Sequence, residues 1–296
     1  MSTILSWSVK LLVVMILVSA SQLKAEPISV TDDIGNVITL SGPVHRAISL
    51  APALTEIVYH VGGGNSLVGT VEHSDYPAAA RKIQRIGAHD RLDFETILKL
   101  QPDLILAWAS GNPSDQLNRL EKLGLIVYRA EPSTLEGLAT TIRQIGKGVG
   151  RAQEGLARSQ ELLIEANRIK QEFGHRKNLT VFYQVWHEPI ITLNGNHIVS
   201  QLLRSCGATN LFSDLPDIAP VVSLESVIKR NPEVIVVGGT PDGAPEWLKK
   251  WEAWGDITAV ARGHLFSVSA DLLHRHSPRI ILGLRKLCET LEQARQ

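Results

Sequence analysis

The sequence predicts an α/β protein with two lobes of similar construction, each built on a central parallel sheet, joined by one long rigid helix. Short β-rich runs alternate with helical patterns along the chain, as they do in βαβ units. A pattern of 13 residues occurs twice, and an uninterrupted helical stretch lies between its two copies. The 296 residues are enough for two such lobes.

The first 25 residues are predicted to be a signal peptide. Lys10 precedes an apolar run over residues 11–20, and a polar stretch then ends at Ala25. The run is too short to span a bilayer, and the order of its flanks favours export over the alternative of a buried N-terminal helix. No cysteine lies near the cleavage point, so we expect an exported protein without a lipid anchor.

The N-terminal lobe is expected over residues 26–148. Apolar runs typical of buried strands cover residues 47–50, 67–71, 103–108 and 125–129. Helical patterns cover residues 113–123 and 134–145.

The connecting helix is expected within residues 149–175. Residues 151–173 contain no proline, and Leu156, Leu162 and Ala166 recur at helical spacing. A helix of this length is about 35 Å long. Because the segment is neither Gly/Ser-rich nor Pro-rich, we expect a rigid strut rather than a flexible linker.

The C-terminal lobe is expected over residues 176–296, where strand and helix patterns alternate as they do in the first lobe. Strands are predicted at residues 179–186, 233–237 and 265–269, and helices at residues 198–205 and 278–294. Cys206 and Cys288 both fall in this lobe. In an oxidising compartment such a pair favours a disulfide over a zinc site, because two thiolates are too few for tetrahedral zinc.

The repeat places one acidic residue at an equivalent point of each lobe. Residues 94–106 align with residues 224–236 at a constant offset, and each copy follows a residue suited to capping a helix. Glu95 and Glu225 then lie in the first helical turn, where a carboxylate can simply stabilise the positive end of the helix dipole.

Composition and motifs argue against two function classes. The chain has 30 basic and 30 acidic residues, so it lacks the positive charge of a general nucleic-acid binder. It contains no G-x-S-x-G, G-x-x-x-x-G-K-[ST] or H-E-x-x-H motif and no G-x-G-x-x-G after a strand. We therefore expect a binding protein and not an enzyme.

Several motifs, in their order and spacing, resemble the substrate-binding proteins of ABC importers for iron chelates, haem and vitamin B12. These are AISLAPALTE at 47–56, SDYP at 74–77, PDLILAWASGN at 102–112, SPRIIL at 277–282 and the surroundings of both cysteines. The similarity covers residues 45–292 and is strongest to the vitamin B12 branch. It implies two Rossmann-like lobes on a helical backbone and a monomeric periplasmic protein without a cofactor of its own.

The same resemblance implies a ligand and a partner. The ligand would be a corrinoid, with haem, a ferric siderophore or another metal chelate as alternatives, and the partner the permease dimer in the inner membrane. Glu95 and Glu225 match the acidic residues that dock onto permease arginines in this family. A twofold permease needs two similar acidic tips, which gives the repeat a physical purpose.

Three residues match family positions at the ligand cleft: Trp108, Asp271 and Arg275. The alternative for Trp108 is an ordinary place in the core. Asp271 and Arg275 stand four residues apart, so they could pair with each other instead of contacting a ligand.

Other cleft positions depart from the family pattern. His73 and His89 stand where aromatic residues are expected, Ala219 replaces a tryptophan, and Trp186 lies near the position of a phenylalanine. Imidazoles can stack on a ligand or ligate a metal, but solvated loop histidines are the alternative for each. We expect no resident metal site.

Overall fold

In the computed structural model, which describes residues 26–240 and 243–296, two α/β lobes are joined by a long helix. The predicted signal peptide lies outside the described residues. Among the helices of the described part, none is both long and apolar enough to cross a membrane.

The N-terminal lobe is built on a four-stranded parallel sheet. Its strands in the order of the chain are β1 (Ile28–Thr31), β2 (Val37–Leu40), β3 (Ala47–Ser49), β4 (Leu67–Thr70), β5 (Gly87–Ala88), β6 (Arg91–Leu92), β7 (Leu104–Trp108) and β8 (Val127–Ala130). The main sheet has the order β4-β3-β7-β8, and all its pairs are parallel, as predicted. Two short antiparallel pairs, β1-β2 and β5-β6, accompany it.

Helices cover both faces of this sheet. They are α1 (Pro52–His60), α2 (Phe94–Lys99), α3 (Ser114–Lys122) and α4 (Leu135–Gly148). Leu54 of α1 and Leu138 of α4 belong to one buried cluster, whereas Ile97 of α2 and Leu117 of α3 belong to another. The strands read as continuous apolar runs because both of their faces are buried.

The connecting helix α5 (Ala152–Phe173) begins within four residues of the end of α4. Leu162, Ala166 and Ile169 are buried in it and belong to the same hydrophobic cluster as Leu138 and the core of the C-terminal lobe. The helix therefore shares a continuous core with both lobes.

The C-terminal lobe has a five-stranded sheet. Its strands are β9 (Leu179–His187), β10 (Ile190–Thr192), β11 (Ala208–Asn210), β12 (Val234–Gly239) and β13 (Leu265–Ser269). Strands β11, β9, β12 and β13 pair in parallel, but β10 folds back antiparallel onto the end of β9. The helices are α6 (Ile198–Ser205), α7 (Leu224–Arg230), α8 (Thr258–Ala261), α9 (Ala270–Leu273) and α10 (Ile280–Gln293).

A disulfide joins Cys206, at the end of α6, to Cys288 in α10. The prediction of this bridge is confirmed. Both cysteines are fully buried beside Leu202 and Leu284 in the lobe's core. The bridge links residues 82 positions apart and so restricts the unfolded chain strongly.

Candidate functional site

The candidate site is an interlobe cavity of about 90 Å³. The start of α1, residues 51–54, lines it from the N-terminal lobe together with Trp108, Ala130 and Pro132. His274, Arg275 and His276 line it from the C-terminal lobe. Trp108 and Ala130 end their strands, and residues 274–276 follow the last strand, so the cavity lies where parallel sheets usually place ligand sites.

Trp108 presents its ring to this cavity while 40% of its surface stays exposed. The backbone N–H of Trp108 donates to Oδ1 of buried Asn112 over 2.7 Å, which closes a tight loop beside the ring. A Cβ on Gly111 would lie only 1.9 Å from that ring, so glycine is required there. These contacts favour the cleft over the core for Trp108.

Asp271 lies in α9 and Arg275 lies just after it; Arg275 lines the C-terminal side of the cavity, and Asp271 does not. Their side chains form an ion pair of 3.1 Å, so the pairing that their spacing allowed does occur. Arg275 also lies 3.5 Å from the carboxylate of Glu56, which comes from the opposite lobe. The guanidinium therefore stands at the cavity between two carboxylates.

Three histidines of the C-terminal lobe lie close together, and two of them, His274 and His276, line the cavity. Burial lowers the pKa of His274 to about 4, and its Nε2 lies 2.7 Å from the hydroxyl of buried Tyr183. Burial also lowers the pKa of His276, and the ring of His276 lies 5.2 Å from that of His197. Burial, reinforced by the two neighbouring imidazoles, lowers the pKa of His197 to about 3. The cluster is therefore neutral at physiological pH.

The neutral cluster does not amount to a metal centre. Over residues 26–240 and 243–296, no group of three or more His, Cys, Asp or Glu side chains is placed to hold a metal ion. Sequence reasoning missed His197, because it is 77 positions from His274 and caps a helix by accepting the N–H of Val199.

Of the predicted ligand residues, Trp108 and Arg275 line this cavity, and Asp271, His73, His89 and Trp186 do not. His73 and His89 are exposed on loops of the N-terminal lobe; the carbonyl of His89 accepts a hydrogen bond from Asn112, beside Trp108. Trp186, near the end of β9, is 51% exposed, and its Nε1 donates to the carbonyl of Glu188.

Glu95 and Glu225 are exposed in the first turns of α2 and α7, one in each lobe. Lys99 approaches Glu95 to 2.6 Å, one turn along the helix. The backbone N–H of Glu225 and the hydroxyl of Ser223 hold the pKa of the Glu225 carboxyl below its usual value. Both carboxylates are therefore accessible at equivalent points of the two lobes.

A larger groove of about 480 Å³ runs beside α5 but is a weaker candidate. Its charged side chains already bind one another: Arg279 binds Glu56, Arg158 binds Glu161, and Glu165 binds Arg285. Such pairing leaves few polar groups to orient a ligand.

A sequence profile described as periplasmic binding protein matches residues 48–272. The chain belongs to this family. The vitamin B12-binding protein of Vibrio campbellii is 35% identical over 260 residues, which are 86% of this chain and 92% of that protein. The crystal structure of the periplasmic vitamin B12-binding protein BtuF of Vibrio cholerae superimposes with a TM-score of 0.78 at 32% identity, covering 86% of this chain and 99% of that chain.

The haem-binding protein RhuT of Roseiflexus sp. RS-1 superimposes with a TM-score of 0.73 at 22% identity, over 85% of this chain and 99% of that one; this likeness shows the fold alone. Membership of the periplasmic binding protein family confirms the predicted architecture of two lobes joined by a helix. It also confirms a binding protein and not an enzyme. The individual ligand and docking residues stay predictions.

Proposed function

We propose that this protein captures a corrinoid between its lobes and delivers it to the permease of an ABC importer. One observation carries the proposal: the partly exposed ring of Trp108 and the guanidinium of Arg275, which pairs with Asp271, line the same interlobe cavity from opposite lobes. A corrin has flat apolar faces and a rim of amides. Trp108 can stack on the face, and Asp271 and Arg275 can accept from and donate to the rim.

The relatives support the same ligand, since the Vibrio campbellii and Vibrio cholerae proteins described above are both named for vitamin B12. In this proposal the signal peptide at residues 1–25 directs the chain to the periplasm. Residues 26–148 and 176–296 form the two lobes, residues 149–175 hold them apart, and the protein acts as a monomer. Glu95 and Glu225 meet the permease.

Titration calorimetry with cyanocobalamin and with cobinamide tests the ligand. We expect saturable binding that Trp108→Ala weakens by up to about tenfold, because a stacked ring is lost. Arg275→Ala is expected to weaken it by a similar factor. Trp254→Ala is a matched control, since Trp254 is 41% exposed but does not line the interlobe cavity. No heat with either corrinoid would contradict the proposal.

Haem is the second candidate, and the imidazoles of His274 and His276 at the cavity are the observation that favours it. Haem titration followed by absorption distinguishes the two ligands. Saturable haem binding without corrinoid binding would transfer the proposal to haem.

A further inference from the structure

One buried carboxylate connects the two lobes next to the cleft. Glu56 lies in α1 of the N-terminal lobe with 3% of its surface exposed. The hydroxyl of Ser277 donates to its Oε2 over 2.7 Å, and Nε of Arg279 donates to the same oxygen over 2.8 Å. Arg279 Nη2 also donates to Oε1, and Arg275 lies 3.5 Å from that oxygen.

These partners form a regular set on the opposite lobe. Residues 275, 277 and 279, every second residue between α9 and α10, all reach Glu56. Arg279 also stacks 4.1 Å from the ring centroid of Tyr76, in the N-terminal lobe. One carboxylate thus contacts three residues of the segment that carries Arg275, including Arg275 itself.

Charge balance explains why the position of Arg275 depends on Glu56. The carboxylates of Glu56 and Asp271 neutralise the guanidinium groups of Arg275 and Arg279. Without the charge of Glu56, two partly buried cations share one carboxylate, and Asp271 is the more exposed of the two acids. Like charges repel strongly in such a site, which drives the less buried Arg275 away from it.

We propose that Glu56 is a positioning residue for ligand binding: from the N-terminal lobe it holds Arg275 of the C-terminal lobe at the cleft without touching the ligand. The inference rests on the proposed function for its ligand. In this inference, a buried carboxylate of the N-terminal lobe sets the position of a ligand-binding arginine on the C-terminal lobe, and so sets the affinity for the ligand.

A double-mutant cycle tests this with cyanocobalamin. Glu56→Gln is expected to weaken binding about tenfold, as loss of a charged hydrogen bond typically does. In an Arg275→Ala background, Glu56→Gln is expected to change the Kd by less than about twofold, because position 275 then has no guanidinium for Glu56 to hold. Equal weakening in both backgrounds, or a wild-type Kd for Glu56→Gln, would overturn the proposal.

Glu165→Gln is the matched control. It removes a carboxylate that binds Arg285 over 3.0 Å between α5 and α10, away from the cavity. It should leave the Kd unchanged even where it lowers the melting temperature. If Glu56→Gln does not fold, Glu56→Asp replaces it in the double-mutant cycle. This variant keeps the negative charge, but its side chain is one methylene shorter.

A measurement without ligand keeps this inference separate from the proposed function. If the wild-type protein binds no corrinoid, the proposed function fails, but the role of Glu56 is still read from hydrogen exchange. The N–H of Ser277 donates to the carbonyl of Arg275 over 2.7 Å. We expect its exchange to be at least about tenfold faster in Glu56→Gln and unchanged in Glu165→Gln. Unchanged exchange in Glu56→Gln would contradict the positioning role.

Discussion

Gly146 and Gly155 bring the backbones of α4 and α5 into direct contact. A Cβ added to Gly146 would lie 2.7 Å from the Cα of Gly155, and one added to Gly155 would lie 3.0 Å from the Cα of Gly146. Real Cβ atoms do not approach backbone so closely, because it cannot move aside as the end of a flexible side chain can. The connecting helix is thus fixed against the N-terminal lobe along its first turns.

Gly146→Ala should therefore destabilise the protein by about 1 to 3 kcal/mol, the usual cost of forcing extra atoms into a packed core. Chemical denaturation measures the change. Gly148→Ala is the control in the same helix, since its Cβ meets other atoms only at 3.6 Å and beyond. We expect the control to be neutral or stabilising by up to about 1 kcal/mol. A neutral Gly146→Ala would disprove the close contact.

The fixed helix also limits movement of the lobes. Since α5 shares a continuous core with both lobes, we expect them to close by only a few degrees when ligand binds, unlike hinged binding proteins. Small-angle scattering curves with and without saturating cyanocobalamin should nearly superimpose. A clear fall in the radius of gyration would contradict the rigid strut.

Removing the exposed carboxylates of Glu95 and Glu225 should separate docking to the permease from binding of the ligand. The pair Glu95→Ala and Glu225→Ala is expected to abolish corrinoid uptake in cells while leaving the Kd for cyanocobalamin unchanged, because neither residue lines the cavity. The control pair, Glu154→Ala and Glu161→Ala, removes the same charge from α5, where both residues form exposed ion pairs. It should support normal uptake. Loss of ligand binding by the first pair would place those carboxylates in the cleft.

Acid should destabilise the protein through its buried histidines. An unfolded histidine binds its proton near pH 6.5, whereas folded His197 resists protonation until about pH 3. Between these values the unfolded state binds more protons at this site, so the contribution of His197 lowers the free energy of unfolding as the pH falls. Above about pH 7 this contribution is constant.

His197→Asn tests this effect while keeping a group that can cap α6. We expect the slope between pH 6 and 4 to decrease by about 1 kcal/mol per pH unit. A wild-type slope in His197→Asn would show that His197 does not govern the acid response.

The sequence predicted those features that local patterns encode. Helix α6 has its predicted bounds, and α5 begins one residue later than expected, because helical periodicity and missing prolines are visible in short windows. The ion pair of Asp271 and Arg275 was one of two alternatives that a spacing of four residues allows. The short hairpin of β1 and β2 escaped notice because it is half exposed and lacks an apolar run.

Features that depend on distant residues could not be predicted in this way. Glu56 and Arg279 are 223 positions apart, and nothing near either residue indicates the other. The same holds for His197, which joins two histidines from another part of the lobe. Packing between the lobes brings Glu56 to Arg279, and packing within the C-terminal lobe brings the three histidines together.

The chain passes between the lobes once, through α5. Each main sheet is therefore made from one continuous stretch, residues 47–130 in the first lobe and residues 179–269 in the second. Both cysteines lie after the crossing, so the oxidation step of maturation involves no residue of the first lobe. A chain that is synthesised amino end first can thus complete the first sheet before the residues of the second sheet have been made. The contacts of Glu56 with Arg275, Ser277 and Arg279 must await residues near the end of the second lobe.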